Sequence, residues 1–303
     1  MNVSERIADW LANHGIEQVF TVTGGGAMYL NQALASHPRL TCTFMHHEQA
    51  CAMAAEGYAR IAGKPAVVMT TTGPGGINAL NGVFGAFTDS IPMLIISGQV
   101  KRATCLDYTP VPGLRQLGDQ EGPIVAMAKP VTKMAEHVGS PEAVTEVLPR
   151  ALTTATSGRP GPVWLDIPLD VQAADCGPIP APNPTPPVRS AELDGDCARI
   201  AGRLQRAHRP LLLAGTGVRL AGAEHTLLHF AEAHGIPVCT AWTHDIIASD
   251  HPLFAGRPGT IGTRAGNICT QNADCVIVVG SRLNIRQVSY NWSSFAQHAF
   301  IAQ

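Results

Sequence analysis

Charge is scarce in this chain of 303 residues. Charged residues make up 15% of it, the formal net charge is -2, and the sequence pI is near 6.6. No run of Lys and Arg lies beside aromatics, so the basic field that nucleic acid requires is missing. No apolar stretch reaches the ~18 residues of a membrane span. The opening "MNVSERIADWLANHG" lacks the charged-then-apolar order of a secretory signal, so a cytoplasmic, reducing location with no membrane partner is expected. Cysteine is present at eight positions (42, 51, 105, 176, 197, 239, 269 and 275) but never as CxxC, and several lie in apolar runs, which reads as reduced core cysteine. There is no repeat of 20–50 residues, no G-x-G-x-x-G and no P-loop.

What is present is enough apolar material, 45% of residues, for about two domains at roughly 150 residues each. Between them stands "DCGPIPAPNPTPPVRSAELD", residues 175–194, with six prolines that forbid a helix interior and favour extended chain; it reads as an interdomain linker. Before it, "QVFTVT", "TCTFMH", "AVVMTTT", "PMLIISG" and "VWLDIP" read as strands buried on both faces, separated by helical patterns such as "EQACAMAAEGYARIAG" and "INALNGVFGAFTDS". That alternation predicts an α/β fold with a parallel sheet. It returns after the linker in "PLLLAGTG", "HTLLHFAEAHG", "PVCTAW" and "DCVIVVGS", and the terminal "AFIAQ" reads as the start of a further strand.

In such folds ligands gather at the carboxyl ends of the strands. Three stretches fall there: "TVTGGGAMYL", "MHHEQA" and "TTTGPGGINALNG". Glycines remove side chains where backbone must approach something closely, and the following helix offers N–H donors. Each glycine loop alone reads equally as a tight turn. Glu48 adds a carboxylate between them, at the start of an Ala-rich helix. A helix N-terminus favours an acid there, and a buried acid at such a place is also suited to handling protons. His46 and His47 lack companions at metal-ligand spacing, so a structural role is expected for them.

The ordered set "VTGGGAMYLNQAL", "HHEQACAMAAEGYARIAGKPAVVMTTTGPGGINALNGVFGAFTDSIPMLIISGQV", "KPVTK" and "ATSGRPGPVWLDIPLDVQ", over residues 7–172, resembles the N-terminal half of an acetolactate synthase, one of the thiamine-diphosphate-dependent 2-keto-acid enzymes. A weaker resemblance to the family's middle domain covers the rest. The resemblance implies a pyrimidine-binding domain at 1–174, the linker at 175–194, and an incomplete Rossmann-like α/β middle domain at 195–303. It places Glu48 against N1′ of the cofactor's aminopyrimidine, where protonation favours the imino tautomer that generates the ylid. It implies that Gly24 and Gly25 let backbone approach the pyrimidine and substrate, and that Thr72, Gly73, Pro74 and Asn78 help form the pyrimidine pocket. Gln120 and Lys133 match a glutamine and a lysine near the substrate or cofactor. FAD in a structural role would meet Arg159, Gly259, Arg282 and Arg286. The implied reaction is decarboxylation of pyruvate or a related 2-keto acid, followed by carboligation.

The departures from the family pattern are informative. Asp119 stands where an aromatic residue is usual, turning an apolar wall of the acceptor pocket polar; the acceptor is then a 2-keto acid or a ketosugar. Arg257-Pro258 replaces Met-His, and Asn284-Ile285 replaces two acids. The family's Mg²⁺ and diphosphate site belongs to a C-terminal domain with a "GDG…NN" motif, and "DGDCARIAG" has neither the strand before it nor the asparagines after it. The chain is therefore expected to be a fragment or one subunit of a split enzyme, inactive alone. Its expected partners are a small 2-keto acid and either a second copy, as homodimer or higher oligomer, or a diphosphate-binding subunit. A non-catalytic relic of the same fold and an unrelated NAD-dependent oxidoreductase are the alternatives.

Overall fold

The computed structural model describes residues 1–183, 189–242 and 246–303. Two compact units emerge, Met1–Pro187 and Val188–Gln303.

The first unit runs α1 (Val3–Asn13), β1 (Gln18–Thr21), α2 (Met28–Ser36), β2 (Thr41–Phe44), α3 (Glu48–Ala62), β3 (Ala66–Thr70), α4 (Pro74–Asp89), β4 (Met93–Gln99), α5 (Ile124–Ala128), β5 (Met134–His137), α6 (Pro141–Thr156), β6 (Pro162–Pro168) and α7 (Leu169–Ala173). Its six strands lie in the order β2-β1-β3-β4-β6-β5, all parallel. Every residue of β3, β4 and β6 is buried, which is why their sequences are unbroken apolar runs. Helices cover both faces and make two cores, one beneath α1, α2 and α6 and one beneath α3, α4 and α5. The helix ends follow local rules: Asn2 and Glu5 form a capping box on α1, and Gly63 closes α3 in the left-handed conformation at φ 66°.

Two features differ from the sequence reading. β2 is an edge strand with Thr41, Thr43 and Phe44 exposed, so it is not buried on both faces. β5, the opposite edge, was not anticipated; its pattern "MAEH" is too short and too polar to signal a strand. The first part of the proline-rich stretch lies along α1: Trp10 Nε1 donates to the Pro180 carbonyl at 2.7 Å and Arg6 Nε to that of Cys176 at 3.1 Å. Residues 184–188 of that stretch lie outside the described residues.

The second unit comprises α8 (Leu193–Leu204), β7 (Pro210–Ala214), α9 (Thr216–Leu220), α10 (Glu224–His234), β8 (Val238–Thr240), β9 (Phe254–Gly256), α11 (Arg264–Asn272), β10 (Cys275–Val279), α12 (Ile285–Val288) and β11 (Phe300–Ala302). Its five parallel strands take the order β11-β10-β7-β8-β9. The terminal "AFIAQ" does contribute a strand, β11, paired with β10. Among the described residues no helix is long and apolar enough to cross a membrane.

Candidate active site at the carboxyl edge of the first sheet

Chain order reverses direction in the first sheet between β1 and β3, because β2 lies on one side of β1 and β3 to β6 on the other. The carboxyl ends of strands open a crevice at such a switch point. The two loops beside it are packed on each other: Gly26 N–H donates to Thr71 Oγ1 at 3.1 Å, and Thr72 Oγ1 donates to the Gly98 carbonyl at 3.2 Å. A Cβ on Gly24 would lie 2.4 Å from Thr71 Cβ, whereas one on Gly25 would meet nothing within 4 Å. Gly24 is thus required by the protein's own packing. Gly25 is exposed and leaves open space beside the crevice.

Glu48 is the first residue of α3. Its side chain is only 8% exposed, a costly place for a charge without partners. Asn78, on α4, donates to Oε2 at 3.0 Å. The helices meet closely because Gly82 faces Ala52, where a Cβ would come within 2.6 Å of the alanine methyl. That contact brings the two residues together. A Cβ on Gly75 would lie 3.3 Å from Oε1, so the absent side chain keeps that oxygen clear. Glu48 therefore has one oxygen held by Asn78, while the other lies beside Gly75. His47 is the N-cap of α3, accepting the Gln49 N–H on Nδ1 at 3.1 Å, which accounts for it structurally. Cys51, one turn on, is pushed up to about 11 by burial and by the Glu48 charge, so its thiol is inert.

Gly73 closes the site from above. It is the N-cap of α4 with φ 58°, and a Cβ there would sit 1.9 Å from the Gln120 carbonyl oxygen. Gln120 itself has φ 58°, unusual for a residue with a side chain. The loop of residues 100–122 thus lays Gln120 on the N-terminus of α4, with Asp119 exposed beside it. Glu121 ties this loop to itself: its carboxylate accepts the N–H groups of Leu106 at 2.5 Å, Leu117 at 2.8 Å and Gly118 at 3.0 Å, and stays below the usual carboxylate range because those bonds outweigh burial.

Of the residues singled out in the sequence, the structure brings together Gly24, Gly25, Glu48, Thr72, Gly73, Pro74, Asn78 and Gln120. It does not bring Lys133 or Arg159 to them. Lys133 precedes β5, at the amino edge of the sheet, where its ammonium donates to the carbonyls of Thr154 and, at 2.8 Å, Ser157. Arg159 precedes β6 and spans the end of α4, with Nε donating to Ser90 Oγ at 2.6 Å and Nη2 to the Thr88 carbonyl at 3.2 Å. Both cations serve exposed helix carbonyls. A cavity of about 280 Å³ lined by His14, Lys64, Leu152, Thr156 and Pro182 lies at that same amino edge.

In the second unit Gly259 has φ 122°, and a Cβ would lie 2.0 Å from the Arg286 carbonyl oxygen. The Arg286 guanidinium lies 5.8 Å from the centre of the Trp242 ring, and Arg282 is exposed. Buried donors nearby, Trp242 Nε1, Arg257 Nε and Gln287 Nε2, have no partner among the described residues. Asp194 and Asp196 of "DGDCARIAG" stand in the first turn of α8, paired with Arg189 and Arg199. Among the described residues no three His, Cys, Asp or Glu side chains gather as a metal site.

Residues 1–121 match the family described as thiamine pyrophosphate enzyme, N-terminal TPP binding domain, and residues 197–303 match thiamine pyrophosphate enzyme, central domain. The chain carries the N-terminal and central domains of a thiamine pyrophosphate enzyme. It is 34% identical to the acetolactate synthase isozyme 2 large subunit of Escherichia coli strain K12, an alignment covering 99% of this chain and 53% of the relative. It is 35% identical to acetolactate synthase 1 of Oryza sativa subsp. japonica over 97% of this chain and 45% of the relative. The chain thus spans about half the length of the curated relatives it matches. An X-ray structure from Mycobacterium smegmatis, described as a thiamin diphosphate-dependent enzyme, superposes with a TM-score of 0.84 at 27% identity, covering 99% of this chain and 56% of that one.

Proposed function

We propose that this chain supplies the pyrimidine-binding and central parts of a thiamine-diphosphate-dependent carboligase that decarboxylates pyruvate or a related 2-keto acid. The observation that carries the reading is Glu48, a buried carboxylate at the switch point with one oxygen held by Asn78 and the other beside Gly75. These residues fit an aminopyrimidine: an acid to meet a ring nitrogen and, on a loop at the same end of the sheet, Gly25, where even a Cβ would touch nothing within 4 Å. Thiamine diphosphate, when bound, supplies an electron sink and a carbon nucleophile.

The chain's own residues do the rest. Glu48 holds a proton at Oε1, where burial strengthens its hydrogen bond to a ligand nitrogen. Asn78 fixes the carboxylate plane. Thr72, Gly73 and Pro74 shape the wall and start α4, whose N-terminus contributes unpaired N–H groups and the positive end of its dipole. Gln120, lying on Gly73, orients the substrate. Asp119 presents a carboxylate to the acceptor side, which suits a hydroxylated ketone such as a ketosugar and disfavours a second anionic 2-keto acid by like-charge repulsion.

Magnesium and the diphosphate are assigned to a diphosphate-binding domain outside these 303 residues, carried either by a longer form of the chain in a homodimer or by a separate subunit. FAD, in a non-redox role, is assigned to the carboxyl edge of the second unit, near Gly259, Arg282 and Arg286, where the buried donor atoms Trp242 Nε1, Arg257 Nε and Gln287 Nε2 have no partner among the described residues. Lys133 and Arg159 take no part in this proposal, since both are spent at the amino edge.

The test is Glu48→Gln in the catalytically competent assembly. Turnover is expected to fall by about 10²–10⁴-fold, the usual worth of a positioned acid–base group. Full activity would discard the proposal and favour a non-catalytic relic of the fold. Pairing pyruvate with keto acids or ketosugars as acceptors, in wild type and Asp119→Phe, tests the acceptor assignment.

A further inference from the structure

One buried carboxylate holds both ends of the loop that carries Gln120. Asp166, on β6, is wholly buried. Its Oδ1 accepts from Ser97 Oγ at 2.5 Å, and that hydroxyl in turn accepts from Trp164 Nε1 at 2.8 Å. Its Oδ2 accepts from Gln99 Nε2 at 3.0 Å, and the same amide nitrogen reaches the Gly122 carbonyl at 3.4 Å, just beyond Gln120. On the other side, His137 Nδ1 lies 3.0 Å from Oδ2, at ion-pair rather than hydrogen-bond geometry, and His137 Nε2 lies 2.9 Å from Asp107 Oδ2. Asp107 belongs to the early part of the same loop. Through Gln99 and His137, the sheet therefore grips the loop at residues 107 and 122.

We propose that His137, charged and shared between Asp166 and Asp107, is a positioning residue that latches the Gln120 loop onto the carboxyl edge of the first sheet. A neutral ring would leave Asp166 without a counter-charge and would set an imidazole lone pair against one of the two carboxylates, since neutral imidazole carries a single N–H.

The surroundings support a charged ring. Burial opposes it, but the neighbouring carboxylates, Asp166 first and then Asp107, outweigh burial and raise the histidine above its ordinary value. The other groups packed around it do not compete. Arg102 pairs with Asp170 at 2.7 Å and donates to the Gly139 carbonyl at 2.9 Å. Glu136 pairs with Arg150 at 2.6 Å, and Glu142 remains a carboxylate at the start of α6. Tyr108, whose ring stands edge-on to His137 at 6.0 Å, and Cys105 are both pushed up to about 12, chiefly by burial, and stay neutral.

The sign of the effect follows from linkage. A histidine whose folded value is raised stabilises the latched state fully below its unfolded value, and that contribution is lost as pH rises through the folded value. The consequence for turnover rests on the role of Gln120 proposed above; the loop measurement does not.

The experiment follows the His137 ring by NMR titration and, in the same samples, hydrogen exchange of the loop amides Leu106, Leu117 and Gly118, for wild type, Asp107→Asn and His137→Gln. In wild type, loop protection corrected for intrinsic exchange should fall several-fold as pH rises through the His137 titration. Asp107→Asn, a change at a half-exposed carboxylate, should lower the His137 titration point and loosen the loop at a pH where wild type is latched. His137→Gln should give a loop whose protection no longer follows pH. A loop that ignores the His137 titration, or an Asp107→Asn protein unchanged in both readouts, would overturn the latch. If the latch holds but substitutions at Gln120 leave turnover intact, the reading of Gln120 fails and the latch stands.

Discussion

The crevice between β1 and β3 and the crevice between β7 and β10 are the switch points of their respective sheets, and they are closed in different ways. In the second unit the loops join backbone to backbone. Gly217 N–H donates to the Gly280 carbonyl at 2.9 Å, and a Cβ on Gly215 would lie 2.4 Å from the same oxygen. In the first unit the loops join through threonine hydroxyls, and beside them stands Glu48 with one oxygen free of any Cβ. Both switch points carry Gly-rich turns, so a turn of that kind does not by itself say what chemistry the crevice serves. What separates the two is a buried acid that the fold holds by one oxygen only.

That contrast can be broken most forcefully at its glycines. Gly73→Ala must put a Cβ against the Gln120 carbonyl from a left-handed backbone, and it should destabilise the first unit by about 3 kcal/mol or more. Gly215→Ala should cost the second unit a comparable amount through its clash with Gly280. Denaturant titration of both variants gives the stability loss. Thiamine diphosphate binding in the competent assembly separates them, because only Gly73→Ala, among proteins still folded, should weaken it.

A smaller effect is expected from Asn78→Ala. Loss of the hydrogen bond to this buried carboxylate should cost about 1.5–3 kcal/mol, seen in stability as well as in cofactor binding or turnover, because Glu48 is left without that donor. Cofactor titration and kinetics check this. Smaller still is Lys133→Met at the amino edge, expected to cost about 1 kcal/mol of stability or less through lost carbonyl bonds, with cofactor affinity unchanged. A loss of cofactor binding there would erase the distinction between the two edges of the sheet.

Much of this was legible in the sequence, for a physical reason. β3, β4 and β6 are buried on both faces, so their composition alone announces them. Glu48 and the loops at Gly24 and Gly73 were legible because a carboxylate and glycines interrupt otherwise apolar strand–helix junctions. β2 was read as buried because composition does not reveal which strand lies at an edge, and β5 was too short to register. Lys133 and Arg159 were placed by similarity to a motif, and only the strand direction shows that both precede their strands and face the other edge. The network of Asp107, His137 and Asp166 joins residues up to 59 positions apart and has no periodicity. Its one local signal was an acid inside the apolar run "PVWLDIP".

The proton-transfer role proposed for Glu48 has a direct readout. That readout is the rate at which the thiazolium C2 proton of thiamine diphosphate exchanges with deuterium in the competent assembly, for wild type and Glu48→Gln. Wild type should accelerate this exchange over the free cofactor, and Glu48→Gln should lose about 10²-fold or more of that acceleration while still binding the cofactor. Equal exchange rates in the two proteins would contradict the assignment.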